Sequence, residues 1–389
     1  MTSSLVDRVR ERLAAQTSGA LHPNAVAAAI RAESGGVVAD SEVLAGMRLL
    51  QTELTGAGIL EPLLRAPGTT DVLVSAPDEV WVDDGNGLRR SLIRFPDETA
   101  VQRLAQRLAL AAGRRLDDSQ PWVDGHLPGL GGGGLSVRLH AVLPPIAAAG
   151  TCLSLRVLRP ATQNLTALVE SRAIAAPAAA LIGDIVAARL AFLVSGGTGA
   201  GKTTVLSALL GSVDPAERIV CVEDAAELAP DHPHLVRLVA RGANVEGVGE
   251  VTVRDLVRQA LRMRPDRIVV GEVRGAEVVD LLAALNTGHE GGAGTVHANS
   301  PAEVPARMEA LAAVGGLDRA ALHSQLSAAC QLVLHTARAR DGRRHLSEIA
   351  VLRRAPDGTV TAVTVWHVEQ GHGPGLPALR TLLAARGRS

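Results

Sequence analysis

Residues 188–212 carry the feature that limits most strongly what this chain can fold into. The apolar run ARLAFLVS leads into the glycine-rich octapeptide GGTGAGKT, and TTVLSALLGS follows with the composition of a helix. This strand–loop–helix order satisfies the pattern GxxxxGK[ST], in which backbone N–H groups and a helix N-terminus converge on phosphate oxygens. The predicted phosphate-binding residues are Gly196, Gly197, Thr198, Gly199, Ala200, Gly201, Lys202, Thr203 and Thr204.

Lysine usage supports this interpretation. Of the 39 basic residues, 38 are arginine, and Lys202 is the single lysine. Where arginine serves every general need for positive charge, the remaining lysine marks a position that a planar guanidinium does not fill. The loop chemistry predicts that Lys202 reaches the β and γ phosphates and that the Thr203 hydroxyl meets Mg²⁺. The alternative is a glycine-rich turn beside a stray lysine.

The elements on either side of the loop predict an α/β fold. Strand patterns at RIVCVED and RIVVGEV are separated by an amphipathic helix from about residue 252 to 263, which indicates a parallel, doubly wound sheet. HLSEIAVLRR and TVTAVTVWHV flank PDG, which predicts a closing antiparallel hairpin. We predict a helical N-terminal extension over 1–60, an α+β domain over 61–157, a linker over 158–171 and the loop-bearing domain over 172–389.

Composition narrows the function classes. The formal net charge is -1, tyrosine is absent and only five aromatic residues occur, which argues against a nucleic-acid surface built on basic patches and stacking. The three cysteines are far apart and form no CxxC pair, so neither a disulfide framework nor a zinc site is expected. We expect a soluble, cytoplasmic protein, because no long apolar stretch lacks proline or charge.

Acidic residues follow two predicted strands. Glu223 and Asp224 end the first strand, with Glu227 close behind them, and Glu272 ends the second. In an open parallel sheet these ends face the ligand crevice, so both glutamates can reach a phosphate, a water or Mg²⁺. A lone acid after a strand is more often a cap or solvent-exposed. Two acids beside a phosphate loop favour the functional interpretation, with Glu223 or Glu272 orienting water and Glu272 assisting Thr203 at the metal.

The segment TGHEGGAGTVHAN holds His289 and His297 within a glycine-rich stretch. A histidine pair suggests zinc, but this spacing is not that of helical ligands and no cysteine lies nearby. The sequence therefore favours an imidazole that senses or stabilises the charge of the γ-phosphate.

The order of these motifs resembles one family, the type II and type IV secretion ATPases, over about residues 60–350. GGTGAGKT resembles its Walker A loop, VEDAAEL its acidic box, LRMRPDRIVVGEVRG its Walker B segment and TGHEGGAGTVHANS its histidine box. The Gly271–Glu272 ending of this strand distinguishes the family from other phosphate-loop enzymes, in which Asp-Glu is common at this position. The Walker B segment is most similar to the branch that serves tight-adherence pili and conjugation-associated systems.

The resemblance implies a C-terminal RecA-like P-loop ATPase domain, ATP and Mg²⁺ as ligands, and a homohexameric ring at the inner face of the cell membrane. It implies an inner-membrane platform protein of a pilus or secretion machine as partner. The scarcity of aromatic residues and the neutral charge disfavour DNA. It also implies that Arg138 and Arg156 donate to nucleotide phosphates, although ordinary surface arginine is the alternative. Arg262, Arg264 and Arg274 match basic family positions, with structural pairing as the alternative. The rival function is a nucleotide-dependent switch or a DNA-translocating conjugation motor.

Overall fold

The computed structural model describes residues 12, 23–33, 56–130, 134–244, 246–288 and 290–387. Its chain divides into two compact units, Met1–Leu158 and Arg159–Ser389. Of the predicted helical extension, the described residues contain the helix α1 (Pro23–Glu33) and a 3₁₀ turn at Gly58–Leu60. Apart from residues 12, 56 and 57, the rest of that extension lies outside the described residues.

The first unit is built on a six-stranded antiparallel sheet in the order β3-β2-β1-β6-β5-β4. Its elements are α2 (Glu61–Arg65), β1 (Asp71–Ala76), β2 (Glu79–Asp83), β3 (Leu88–Arg90), α3 (Glu98–Ala111), β4 (Trp122–Leu127), β5 (Ser136–Val142) and β6 (Cys152–Leu158). Side chains alternate between a buried and a solvent-facing surface, so one face of this sheet carries the core.

Helix α3 covers the buried face of that sheet. The Asp97 carboxylate caps it by accepting from the Ala100 amide at 2.8 Å. Val101, Leu104 and Leu108 are buried among the apolar side chains of the strands. Strand β4 was not predicted, because the alternation in WVDGHL includes a glycine and a histidine.

The second unit contains the phosphate-loop pattern. Its elements are α4 (Leu165–Glu170), α5 (Ala176–Ala187), β7 (Phe192–Gly196), α6 (Lys202–Leu210), β8 (Ile219–Glu223), β9 (Leu235–Val239), α7 (Val253–Ala260), β10 (Arg267–Val273), α8 (Glu277–Leu285), β11 (Ala293–Val296), α9 (Val304–Val314), α10 (Arg319–Ala329), β12 (Leu332–Arg338), β13 (Arg344–Arg354), β14 (Val360–His367), β15 (Gly371–His372) and α11 (Leu376–Ala384).

These strands form one nine-stranded sheet in the order β15-β14-β13-β12-β7-β11-β10-β8-β9. The six from β12 to β9 run parallel, and β13 to β15 extend the sheet antiparallel. Successive residues of β10 pack on opposite sides, Ile268 and Val270 into one core and Val269 into the other. Helices therefore cover both faces, which confirms the α/β fold with its parallel sheet and closing hairpin.

The segment predicted to be a linker is partly helical. Helix α4 lies within 158–171, and its Leu168 is buried in the core of the second unit. Asn164 caps this helix by accepting from the Ala167 amide at 2.8 Å. Within the described ranges, no helix has both the length and the apolar character needed to cross a membrane.

Candidate active site

One edge of the second sheet gathers most of the residues singled out from the sequence. Because β7, β8, β10 and β11 are parallel, their carboxyl ends lie on the same edge. These strands lead respectively into the phosphate loop, Glu223, Glu272 and His297. The side-by-side order is set by the sheet and does not follow the chain.

The loop from Gly196 into α6 has the backbone that an anion cradle requires. Gly199 and Gly201 adopt φ values of +69° and +93°, which only glycine adopts readily. A methyl group in the Cβ position of Gly196 would lie 2.5 Å from the carbonyl oxygen of Thr336 on β12. The first glycine is therefore required by close packing against the neighbouring strand.

The Lys202 ammonium lies within this loop. Its Nζ donates to the carbonyl oxygens of Gly196 and Gly197, each at 3.0 Å. Burial lowers its pKa, while the negative charges of Glu272 and Glu227 act in the opposite direction. A partly buried cation held by two neutral carbonyls is well placed to exchange them for phosphate oxygens, which are stronger partners.

Thr203 lies beside the acidic side chain of Glu227, for which the sequence pattern predicted no specific role. Its Oγ1 lies 3.5 Å from Oε2 of Glu227, at the start of α6. A hydroxyl beside a carboxylate is the hard-oxygen donor set that Mg²⁺ prefers when it also keeps waters and phosphate oxygens. These residues fit a nucleotide-bound magnesium ion.

The Glu223 side chain is 3% exposed and points into the protein. Its Oε1 accepts from the Glu227 and Leu228 amides, at 3.0 and 2.8 Å, so it holds the turn of the acidic box. Its Oε2 lies 3.6 Å from Nε of Arg237 and has no hydrogen-bond partner among the described residues. Burial raises the pKa of this carboxyl.

Gly271 leaves room for that carboxylate. A methyl group in its Cβ position would lie 2.8 Å from Cγ of Glu223. The unusual glycine before Glu272 is thus explained by packing between two adjacent strands, because Glu223 crosses over the backbone of β10.

Glu272 is more accessible than Glu223. Its carboxylate pairs with Arg274, whose guanidinium also lies 4.0 Å from Asp224. Structural pairing, the alternative raised for Arg274, is therefore present. Arg262 and Arg264 are exposed, and Arg264 has a φ of +51°.

Two buried residues that the sequence did not single out connect the loop to the histidine box. The Ser195 hydroxyl lies 2.8 Å from Nδ1 of His335, and the backbone of Asn299 lies beside the same ring. Burial lowers the pKa of His335. His297, two residues before Asn299, is exposed at the sheet edge. A lone histidine within the apolar strand LVLHTAR gives no sequence signal for this link.

Arg138 and Arg156 belong to the first unit, where they are partners on adjacent strands. Arg138 forms an ion pair with Asp124 at 2.6 Å, and Arg156 with Asp71 at 2.8 Å. Their part in nucleotide chemistry stays a prediction.

The described residues contain no group of three or more histidine, cysteine, aspartate or glutamate side chains that could hold a metal ion. His289, one of the two histidines weighed for zinc, lies outside them.

Comparison with known proteins gives consistent matches. Residues 53–372 match the family model described as type II/IV secretion system protein. The chain is 77% identical over 350 residues to a Mycobacterium tuberculosis protein named "Putative conjugal transfer protein", covering 90% of this chain and 99% of that protein. It is 34% identical over 268 residues to the type IV secretion system protein PtlH of Bordetella pertussis, covering 62% of this chain and 76% of PtlH. The fold resembles that of the Legionella pneumophila ATPase DotB, with a TM-score of 0.53 and 19% identity over 77% of this chain and 79% of DotB.

Proposed function

This chain belongs to the type II/IV secretion system protein family, a family of ATPase motors, and we propose that it hydrolyses ATP with Mg²⁺ to drive a conjugation, secretion or pilus machine. The observation that carries the proposal is the convergence at one sheet edge of the phosphate loop, Lys202, Thr203 and three glutamates. A binding module that only recognises a nucleotide has no need of carboxylates at the neighbouring strand ends.

Binding of ATP begins with Lys202. The ammonium leaves the carbonyls of Gly196 and Gly197 and takes the β and γ phosphates, while the amides at the start of α6 donate to the same anion. The exchange is favourable because a phosphate compensates the charge of the partly buried lysine better than neutral dipoles do.

We propose that Thr203, together with Glu227 or Glu272, would hold Mg²⁺. When bound there, Mg²⁺ neutralises charge on the phosphates. The Thr203 hydroxyl would supply an oxygen ligand, and the Glu227 carboxylate, 3.5 Å from it, would accept from a water beside the ion.

Glu272 is the stronger choice for the group that orients the attacking water and accepts its proton. Its side chain is 29% exposed at the sheet edge, and its charge acts on Lys202. Glu223 already uses one oxygen to hold the acidic-box turn and is buried. We therefore propose that Glu223 positions the turn, including Glu227, and that His297 contacts the γ-phosphate.

We propose that additional positive charge comes from Arg138 and Arg156 through assembly into a homohexameric ring. Each is held by an aspartate in the first unit, so each must exchange that partner for phosphate. An arginine that stabilises the transition state contributes about 10³- to 10⁵-fold in rate. Turnover per chain is then expected to rise with protein concentration through the assembly range.

Assembly and arginine variants give one test. Arg138→Ala or Arg156→Ala is expected to lower turnover more than nucleotide affinity. Arg89→Ala is the matched control, because it removes an exposed sheet arginine of the same unit that pairs with Asp84 at 3.5 Å. Constant specific activity from monomer to ring, with parental rates in both variants, would exclude this contribution.

The names of the relatives support a role in conjugal transfer or type IV secretion, and we propose an inner-membrane platform protein as the partner and the cytoplasmic face of the membrane as the location. The decisive experiment measures Mg²⁺-dependent phosphate release by the purified chain and by Lys202→Ala, with membranes carrying the platform protein or with DNA added. We expect stimulation by the platform. Stimulation by DNA alone favours the translocating motor, and absence of turnover in every condition favours a nucleotide switch.

A further inference from the structure

A second cation lies against the phosphate loop, on the hairpin that joins β12 and β13. Strand β12 runs parallel to β7, with Thr336 opposite Gly196, the last residue of β7. Beyond that point β12 continues to Arg338, and the returning strand β13 begins with Arg344 directly opposite it. The hairpin therefore extends past the edge of the sheet at which the loop begins.

Arg344 packs its aliphatic stem against the loop backbone. A methyl group in the Cβ position of Gly201 would lie 3.6 Å from Cδ and 3.7 Å from Cβ of Arg344. Gly201 is the N-cap of α6, so this stem covers the residue immediately before the helix. The contact fixes where the side chain starts and leaves the exposed guanidinium beyond it.

Two neighbouring arginines of the hairpin, Arg338 and Arg343, are tied to the turn itself. Arg338 donates to the Gly342 carbonyl at 3.2 Å, and Arg343 pairs with Asp341 at 2.6 Å. Arg344 has neither an ion pair nor a side-chain hydrogen bond in the part of the chain that the structure describes. Adjacent arginines on one hairpin thus differ in whether their charge is already compensated.

The position of Arg344 is electrostatically unfavourable without an anion. A helix N-terminus carries partial positive charge, so cations near it are destabilising and anions are stabilising. Lys202 adds a further positive charge, donating only to backbone carbonyls in the hydrogen bonds of its Nζ. Glu272 and Glu227 act on the charge of Lys202. Arg344 has no anionic partner among the described residues, and a bound polyphosphate would supply one beside the helix N-terminus.

We propose that Arg344 is a nucleotide-contacting residue that donates to the α and β phosphates from the same chain that supplies the loop. The inference rests on the proposed ATPase function and adds a site residue to it. The α and β phosphates are the ones that backbone amides of a phosphate loop hold, and Gly201 opens the helix that provides them. Because ADP and ATP share these phosphates, the contact contributes equally to both.

The test measures equilibrium binding of adenosine, AMP, ADP and ATP to the full chain and to two variants. Arg344→Ala is expected to weaken ADP and ATP by the same factor of about 10 to 100, the range for a charge-assisted hydrogen bond, and to leave adenosine unchanged. In turnover, KM rises while kcat changes little, because the contact is equal in ground and transition states. Arg343→Ala removes the same charge one residue away and is expected to bind all four ligands like the parent.

Each other outcome overturns the inference. If Arg344→Ala binds ADP and ATP as tightly as the parent, the proposed contact is refuted and the ATPase proposal is unaffected. A loss shared by adenosine assigns Arg344 to the base, and a loss for ATP alone assigns it to the γ-phosphate; either result refutes the assignment to the α and β phosphates. If Arg343→Ala weakens ADP and ATP binding as much as Arg344→Ala does, the effect comes from general positive charge and not from a contact of Arg344. If the parent chain binds none of the four ligands, the proposed ATPase function itself is refuted.

Discussion

Glu223 and Glu272 end neighbouring strands, and exchanging each for glutamine is expected to separate a positioning residue from the catalytic one. The Glu223 Oε1 accepts two amides of the acidic-box turn, and glutamine keeps that acceptor. Alanine removes it and leaves the amides of Glu227 and Leu228 without a partner. Glu223→Gln, Glu223→Ala and Glu272→Gln therefore remove different groups from the site.

The magnitudes follow from these contacts. A buried donor left without an acceptor costs about 1–3 kcal/mol, so two such donors cost about 2–6 kcal/mol. Removing a buried carboxylate, whose pKa is raised by burial, offsets part of this cost. We expect Glu223→Ala to lower the free energy of unfolding by about 2–4 kcal/mol and Glu223→Gln to change it by less than about 1 kcal/mol.

Turnover is expected to separate the two glutamates more sharply than stability does. Glu223→Gln retains turnover within about threefold, because the turn is still held, whereas Glu272→Gln loses about 10²- to 10⁴-fold, as expected for a missing general base. Both variants are expected to bind ATP like the parent.

Urea unfolding followed by Trp366 fluorescence gives the stability difference, because this tryptophan is buried in the core of the second unit. Replacing Trp81 and Trp122, both in the first unit, by phenylalanine removes the competing signals. Phosphate release gives the rates. If Glu223→Gln unfolds like the parent but loses as much turnover as Glu272→Gln, Glu223 takes part in the chemistry and the positioning role is refuted.

Three further substitutions are informative. Lys202→Arg is expected to abolish phosphate release, because a guanidinium does not fit as a point charge between phosphate oxygens; substantial turnover would contradict the argument from the single lysine. Gly271→Ala places a methyl group 2.8 Å from Cγ of Glu223 and is expected to lower the free energy of unfolding by about 1–3 kcal/mol. Gly183→Ala is the control and is not expected to destabilise the chain, because nothing lies within 4 Å of its Cβ position. Equal urea midpoints for the two variants would contradict the packing argument. Burial lowers the pKa of His335 below its ordinary value of 6.5, so the unfolded chain binds the proton more readily than the folded chain. As pH falls below 6.5, the parent is therefore expected to lose stability relative to His335→Asn. Parallel pH profiles of the free energy of unfolding, measured in urea for the two proteins, would refute this.

Local sequence was sufficient where the signal lies within a few consecutive residues. The phosphate loop between β7 and α6 and the hairpin of β13 and β14 follow from short patterns and were predicted. Strand β11 was harder to predict, because its AGTV lies in a glycine-rich segment that suggests a turn. Its pairing with β7 and β10 gives that segment a partner on each side.

The roles of the candidate residues depend on neighbours that are remote in sequence. Ser195 and His335 are 140 residues apart, and only the pairing of β7 with β12 brings them within hydrogen-bonding distance. Arg344 reaches Gly201 through the same pairing, because β13 returns beside β12. Nothing in the composition of either strand announces these contacts.

The sequence by itself determined that this chain holds a phosphate loop in a parallel α/β sheet and that glutamates follow the neighbouring strands. The tertiary structure decided which glutamate is buried. Glu223 and Glu272 are equivalent in pattern, but Glu223 crosses over Gly271 and is held by two amides, whereas Glu272 faces the open edge. Strand periodicity fixes the edge at which a side chain emerges, while its exposure depends on the space that the adjacent strand leaves, and that space exists only once the sheet has formed.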